Sequence, residues 1–167
     1  MQFDIVYSWG VLHHTNEMWK AVSNCFGLVK PSGVLWISLY QKGPRHSADV
    51  ALKRKYNLAT PFGKRIMVYR EILRIMLSRA KHLKSPLAWN EKTNRGMNCY
   101  NDIIDWFGGL PYETATKDEV IEVAKEHGFT LERSKVRREG ACSIYILRKT
   151  GPSERGEVGD INMAAGQ

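Results

Sequence analysis

Residues 3–40 read FDIVYSWGVLHHTNEMWKAVSNCFGLVKPSGVLWISLY, and this stretch decides the fold. Residues 3–9 and 34–40 are rich in β-forming, apolar side chains, which is typical of strands that are covered on both faces of a parallel sheet. Between them, apolar residues at helical spacing predict a helix over residues 17–29, and residues 30–33 form a turn signal. Strand, helix and strand in this order indicate a parallel βαβ unit and an α/β fold.

The whole chain has 167 residues, of which 43% are hydrophobic, and this size fits one folded domain. No apolar run approaches the roughly 20 residues of a membrane-spanning helix, and the N-terminus lacks the basic leader of a secretory signal. The three cysteines are scattered and odd in number, which argues against a disulfide framework or a structural zinc site. We therefore expect a folded protein in a reducing, cytoplasmic setting.

The positive charge is concentrated in residues 41–98, which hold 14 Lys and Arg against 3 Asp and Glu. A long helix is predicted to begin at Pro61 and to end near Pro86. Seven apolar residues at helical spacing are expected to form the stripe that faces the core: Phe62, Ile66, Tyr69, Leu73, Met76, Ala80 and Leu83. Such a basic segment attracts phosphates, nucleic acid or an anionic membrane, although a solvated helix face without a partner explains it equally well.

The remaining sequence predicts further regular elements. A short helix is expected before Gly108, and the capping-box spacing of Thr116 and Glu119 predicts the start of another helix, which Gly128 ends. Strands are predicted over residues 130–137 and 143–149. Residues 150–167 are polar and rich in glycine, and we expect a disordered tail there.

Residues 3–40 resemble a stretch of class I S-adenosylmethionine (SAM)-dependent methyltransferases. In that family a strand of the form FD-x-V-x-S-x-GVLHH precedes a helix, an L-x-KPGG turn and another strand; Ser32 stands here where the turn usually has its first glycine. One subgroup also carries RGM-x-x-x-x-D-x-x-DW-x-GG-x-P-[FY]-E, which residues 95–113 match. The resemblance covers roughly residues 1–40 and 95–149. It implies an α/β, Rossmann-like sheet with SAM as cofactor and residues 41–98 as a helical insertion.

Two features of that family are absent from the sequence: the glycine-rich loop that approaches the cofactor and the acidic residue that holds its ribose. The resemblance therefore implies that residues 1–149 hold the fourth to seventh strands, truncated at the N-terminus. Because the family's fourth strand pairs with its first, residues 3–9 are expected to present an unpaired apolar edge that invites association. We expect the isolated chain to be weakly folded or associated, inactive, and unable to hold SAM tightly.

Candidate site residues follow the first strand. Open α/β sheets bind ligands at the carboxyl ends of their strands, and the resemblance implies that Ser8, Trp9 and Gly10 border the cofactor. His13 and His14 are the candidate catalytic bases, because imidazole titrates near neutral pH. A structural loop histidine is the alternative, and at most one of the pair is expected to face the site. No third ligand at typical spacing indicates a metal.

Asp102 and Asp105 lie three residues apart on a predicted helix and therefore share a face. With Arg95, Tyr100 and Trp106 they are candidates to line a substrate lid, and a solvated helix with a buried tryptophan is the alternative. The methyl acceptor stays unidentified; the basic insertion is compatible with an anionic or phosphate-bearing one.

Two other functions stay open from the sequence. The first is a non-enzymatic binding module or relic half-domain that acts with a partner chain and whose basic helix binds nucleic acid or an anionic membrane. The second is a split enzyme that a separate partner completes.

Overall fold

The structure is a computed structural model, and it describes residues 1–91, 96 and 98–151. Two compact units are present: Met1–His46 with Glu113–Gln167, and Ser47–Tyr112. Their regular elements are, in chain order, β1 (Phe3–Trp9), a 3-10 helix (Leu12–His14), α1 (Met18–Gly27), β2 (Val29–Tyr40), α2 (His46–Leu58), α3 (Pro61–Lys81), a second 3-10 helix (Pro86–Asn90), α4 (Cys99–Gly108), α5 (Lys117–Glu126), β3 (Phe129–Lys135) and β4 (Cys142–Lys149).

The first unit is built on a four-stranded sheet in the order β1-β2-β4-β3. Strands β1 and β2 are parallel and joined through α1, so the predicted βαβ unit is confirmed. Strand β4 runs antiparallel to both β2 and β3. Strands β3 and β4, the two strands predicted at the C-terminal end, form an antiparallel hairpin, and the sheet is therefore mixed.

One face of this sheet carries the hydrophobic core. Leu35, Ile37 and Leu39 of β2 alternate along the strand and are fully buried. They cluster with side chains of β4, α1 and α5, namely Tyr145, Leu147, Met18, Val22, Phe26, Val120 and Ala124. Every second side chain of β2 thus packs against the apolar sides of the two helices that cover it, and this packing fixes the strand register.

The opposite face is open at β1. Ile5, Tyr7 and Trp9 are exposed, as is Trp36 of β2, whose ring centroid lies 5.9 Å from that of Tyr7. The expectation that residues 3–9 are covered on both faces is therefore wrong, because the side chains on one face of β1 stay exposed in the described part of the chain. Strand β1 ends the strand order, so the expected unpaired apolar edge is present among the described residues.

Strand β2 begins earlier than the sequence predicts. Phe3 pairs with Val29, but Ile5 pairs with Val34, so residues 30–33 bulge out of the strand instead of preceding it. Ser32 in this bulge has a φ of 61°, a left-handed conformation that favours glycine. Residues 30–33 therefore do interrupt the strand, and the pairing of β1 with β2 continues on both sides of them.

The helix caps in the C-terminal half follow local chemistry. The Thr116 hydroxyl accepts from the Glu119 amide at 3.2 Å and the Glu119 carboxylate accepts from the Thr116 amide at 2.8 Å, which confirms the capping box. Helix α4, the short helix expected before Gly108, begins at Cys99, because the Asn98 side chain caps it by accepting from the Asn101 amide at 2.9 Å.

The second unit packs helices around a small core made of Tyr56, Val68, Ile72, Ile103 and Phe107. The predicted long helix is confirmed as α3, although it ends at Lys81. The predicted core stripe is wrong: Val68 and Ile72 are buried, whereas Phe62, Ile66, Tyr69, Leu73 and Leu83 are exposed. Helix α3 has apolar side chains on two sides, and helical spacing alone does not tell which side is covered.

Of the predicted tail, residues 150–167, only Thr150 and Gly151 are described. The Thr150 amide donates to the Gly128 carbonyl at 2.9 Å, which ties the end of β4 to the turn before β3. In the described ranges, no helix combines the length and the apolar character that crossing a bilayer requires. Cys25, Cys99 and Cys142 are partly buried and form no disulfide bond.

Candidate functional site

The predicted cofactor residues lie at the carboxyl end of β1. Because β1 and β2 are parallel, this end meets the end of β2: Trp9 pairs with Ser38, and the Gly10 amide donates to the Ser38 carbonyl at 3.3 Å. Gly10 has a φ of 68°, which directs the chain into the 3-10 helix Leu12–His14. The fold therefore brings Ser8, Trp9 and Gly10 to one sheet edge, directly before the two candidate histidines.

His13 lies inside the protein. Its side chain has no exposed surface, and its ring centroid lies 4.0 Å from that of Tyr40 and 4.5 Å from that of His14. Neither ring nitrogen has a hydrogen-bond partner in the described part of the chain. Burial, together with the neighbouring His14, lowers the pKa of His13 to about 3. Its imidazole is therefore neutral at physiological pH and is a weak base there.

His14 is placed differently although it is adjacent. It is only partly buried, and its ring stands perpendicular to that of Tyr40 at a centroid distance of 5.6 Å. The two histidines and Tyr40 form an aromatic cluster at the end of β2. Within the pair, His14 is the ring that a bound molecule can reach.

Glu113 holds the loop that carries His13 and His14, which we call the histidine loop, and no sequence pattern indicated this role. Its amide donates to the His13 carbonyl at 3.1 Å, and its carboxylate accepts from the Met18 amide at 3.0 and 3.2 Å. Glu17, the N-cap residue of α1, makes no side-chain cap bond, so Glu113 satisfies an unpaired amide at that helix start. The one signal for it in the sequence was its place at the end of the Pro-Tyr-Glu block.

The predicted substrate residues lie in the second unit, on α4. Asp102 and Trp106 are partly buried, and Asp105 and Tyr100 are exposed. Arg95, the fifth of the set, lies outside the described residues. The structure thus gathers the cofactor and base candidates in the first unit and the substrate candidates on one helix of the second unit.

A buried lysine packs beside Trp106, one of these residues, and beside Tyr112. The Lys53 Nζ lies 4.2 Å from the ring centroid of Trp106 and 4.6 Å from that of Tyr112, and it donates to the Trp106 carbonyl. Burial lowers the pKa of Lys53 to about 8, against the opposing charges of Asp49 and Asp105. Trp106 thus has a packing role, whichever molecule α4 contacts. No sequence pattern distinguished Lys53 from the other lysines of α2.

The loop that follows β1 leaves open space at Gly10. Nothing lies within 4 Å of the position that a Cβ on Gly10 would take, so a ligand can approach the backbone there. Glu113 contacts this loop through its backbone amide, and its carboxylate is already hydrogen-bonded to the start of α1. Among the described residues, no group of three or more His, Cys, Asp or Glu is arranged to hold a metal ion.

Comparison with known proteins gives a family likeness for the N-terminal segment. Residues 1–37 match the family model described as a methyltransferase domain. These residues contain β1, the histidine loop, α1 and most of β2. No curated protein matches the chain.

Solved structures extend the similarity from residues 1–37 to most of this chain. PKMT2 from Rickettsia typhi, in complex with AdoHcy, has 10% identity and a TM-score of 0.55 over 91% of this chain and 36% of that one. Magnesium protoporphyrin IX methyltransferase from Synechocystis PCC 6803, with bound SAH, has 13% identity and a TM-score of 0.44 over 89% and 46%. An O-methyltransferase family protein from Burkholderia thailandensis has 14% identity and a TM-score of 0.44 over 90% and 31%.

This chain spans less than half the length of each of these three proteins. At such low identity the likeness shows the fold, and a fold does not determine an activity. The predicted fold class, an α/β sheet of the Rossmann-like methyltransferase type, is thereby confirmed.

Proposed function

We propose that this chain is part of a SAM-dependent methyltransferase and supplies the fourth to seventh strands of its sheet, with the basic segment 41–98 inserted after the fifth. The observation that carries the proposal is the loop from Gly10 to His14 at the joint ends of the parallel strands β1 and β2. This loop lies within the segment that matches the methyltransferase family model. Ligands of open α/β sheets bind at such strand ends.

The surroundings of each residue indicate the role that we propose for it in methyl transfer. Ser8, Trp9 and Gly10 form the wall along which SAM would lie, and SAM supplies an electrophilic methyl group on a sulfonium. His14 would take the proton that an O–H or N–H acceptor loses, as the acceptor's lone pair bonds to the methyl carbon and the carbon–sulfur bond breaks with its electrons left on sulfur. His13, neutral and buried, packs the loop against Tyr40 instead of exchanging protons. Positioning the acceptor supplies the rest of the rate enhancement.

The acceptor side is proposed for α4. Tyr100, Asp102, Asp105 and Trp106 present polar and aromatic groups there, and Arg95 precedes them in the sequence. The excess of basic residues in segment 41–98 favours an anionic or phosphate-bearing acceptor.

A binding measurement tests the cofactor assignment. In titration calorimetry with SAM we expect no micromolar binding to the 167-residue chain, because it supplies neither the family's glycine-rich loop nor its ribose-binding carboxylate. Micromolar binding would contradict that expectation. The DNA upstream of the Met1 codon is the second test: an in-frame glycine-rich strand-loop supports the enzyme, and stop codons there contradict it.

In a SAM-binding form of the protein, two glycine variants separate a cofactor wall from a general loss of stability. Gly10→Ala adds a Cβ at the proposed wall and strains a left-handed residue, so we expect SAM affinity to fall about tenfold or more. Gly27→Ala is the matched control, because its Cβ also meets open space but its φ is ordinary. Equal SAM affinity in both variants would remove Gly10 from the site.

A split enzyme, completed by a separate chain, is the second candidate. The open edge of β1 favours it, since an unpaired strand can add a partner's strand. It predicts SAM binding by the co-purified pair and none by either chain alone.

A further inference from the structure

Helix α3 has two apolar sides, and only one is used inside the second unit. Val68 and Ile72 are buried in its core. On another side, five apolar residues at spacings of four, three, four and four form a continuous stripe, which we call the α3 stripe: Phe62, Ile66, Tyr69, Leu73 and Leu77. Their exposed fractions lie between 43% and 72%. At 1.5 Å per residue the stripe is about 22 Å long.

Basic residues border the α3 stripe on both sides. With 100° per residue, Arg65 lies along one border and Arg70, Arg74 and Lys81 lie along the other. The helix carries six Lys and Arg and one acidic residue, Glu71, which accepts from the Arg74 Nε at 2.9 Å. The exposed surface of α3 is therefore an apolar strip within a positive frame.

This pattern discriminates among partners. A second copy of the helix would bring two positive frames together, and like charges disfavour that contact. Nucleic acid would pair with the arginines but leave the aliphatic Ile66, Leu73 and Leu77 without an apolar surface to contact. An anionic lipid surface meets both requirements, because its acyl chains take up the apolar side chains while its headgroups pair with Arg and Lys.

We propose that the α3 stripe is a docking surface for an anionic membrane, on which α3 lies parallel to the lipid plane. The apolar stripe enters the boundary between headgroups and acyl chains, and the long arginine side chains reach outward to the lipid phosphates. No part of the chain needs to cross the bilayer for this. The inference is independent of the methyltransferase proposal, since it uses α3 alone.

Vesicle flotation of the full chain tests the docking surface. One set of vesicles contains phosphatidylcholine alone, and the other contains phosphatidylcholine mixed with phosphatidylglycerol. We expect binding to the mixed vesicles, little to the neutral ones, and weaker binding at high salt, because the headgroup attraction is screened.

Two double variants separate the contribution of the apolar side chains from that of the basic side chains. Ile66→Ser with Leu73→Ser should lower vesicle binding about tenfold or more, since two apolar side chains that would enter the lipid are lost. Arg65→Gln with Arg70→Gln should lower vesicle binding roughly twenty-five-fold, at about fivefold per charge. All four positions are exposed, so circular dichroism spectra should match that of the wild type.

The controls carry the same chemical changes in the first unit. Leu28→Ser with Val136→Ser, and Arg133→Gln with Lys135→Gln, change exposed residues and should leave flotation unchanged. The proposal is overturned if the wild type does not float with anionic vesicles, or if the Ile66 and Leu73 variant floats as well as wild type. Binding of a DNA or RNA duplex without vesicle binding would likewise overturn it in favour of a nucleic-acid surface.

Discussion

The two units differ in architecture and in charge, but they share two features. Each buries one titratable base, His13 in the first unit and Lys53 in the second, and each leaves one apolar surface exposed. Unit Ser47–Tyr112 holds 12 Lys and Arg against 5 Asp and Glu, whereas the rest of the chain holds 13 against 12. We therefore propose different partners for the two exposed apolar surfaces: a protein strand for the neutral face with an open backbone edge, and anionic lipid for the basic stripe.

Self-association of the chain separates the exposed surfaces of the two units. Tyr7→Lys places a charge on the open face of β1 and should weaken association of the chain by more than about tenfold, because lysine on an edge strand opposes pairing. Tyr69→Lys is the matched control, since Tyr69 is 63% exposed and Tyr7 is 60% exposed. Light scattering after size exclusion gives both values. A monomeric wild type, or equal loss in both variants, would contradict the contrast.

The buried Lys53 should make the stability of the second unit depend on pH in the alkaline range. The pKa of Lys53 falls from 10.5 to about 8 on folding, so the unfolded chain binds more protons between these values and stability rises with pH there. The gain across that window is about 3 kcal/mol, and it should be absent in Lys53→Met. Lys55→Met, an exposed change on the same helix, should keep the wild-type slope. Urea unfolding at several pH values measures it, and identical slopes for wild type and Lys53→Met would refute the assignment.

The buried histidine gives the first unit an acidic signature. The pKa of His13 falls from 6.5 to about 3 on folding, so the unfolded chain binds the extra proton in that window and stability falls as pH falls. At pH 5 the loss is about 2 kcal/mol. His13→Gln should flatten this part of the profile, and His14→Gln should not. The opposite ranking would mean that His14 is the buried partner in solution.

Glu113 tests how the histidine loop is held. Glu113→Gln keeps the shape but removes the charge that faces the start of α1, so we expect a loss of about 1 kcal/mol. Glu17→Gln is the control, because Glu17 makes no side-chain cap bond and pairs only with the exposed Lys20 among the described contacts. Thermal unfolding compares the two. A loss of equal size in both would assign the effect to net charge.

The smallest effect concerns the bulge in β2. Ser32→Gly should stabilise the chain by about 1 kcal/mol, because glycine adopts the φ of 61° without the strain of a side chain. Ser134→Gly in the extended strand β3 should instead destabilise it slightly. If Ser32→Gly lowers the melting temperature, the bulge is held by the side chain and not merely tolerated.

Local signals were sufficient for β1, α1, β2 and the capping box at Thr116, because each element is specified by neighbouring residues. They were insufficient where contacts are distant. The bond between Glu113 and Met18 joins residues 95 apart, and no pattern within one element encodes it. The burial of His13 and the choice between the two sides of α3 also depend on which surfaces meet after folding.

A hydrogen bond between His46 and Thr114, 3.0 Å long, joins residues that are 68 apart in the chain. The polypeptide thus leaves the first unit and returns to it at nearly the same place. A long excursion of this kind costs little more than a short one, since each doubling of loop length adds only about 0.6 kcal/mol of closure entropy. The helical unit is therefore exchangeable in evolution: its length, charge and target can change while the sheet that carries it keeps its register.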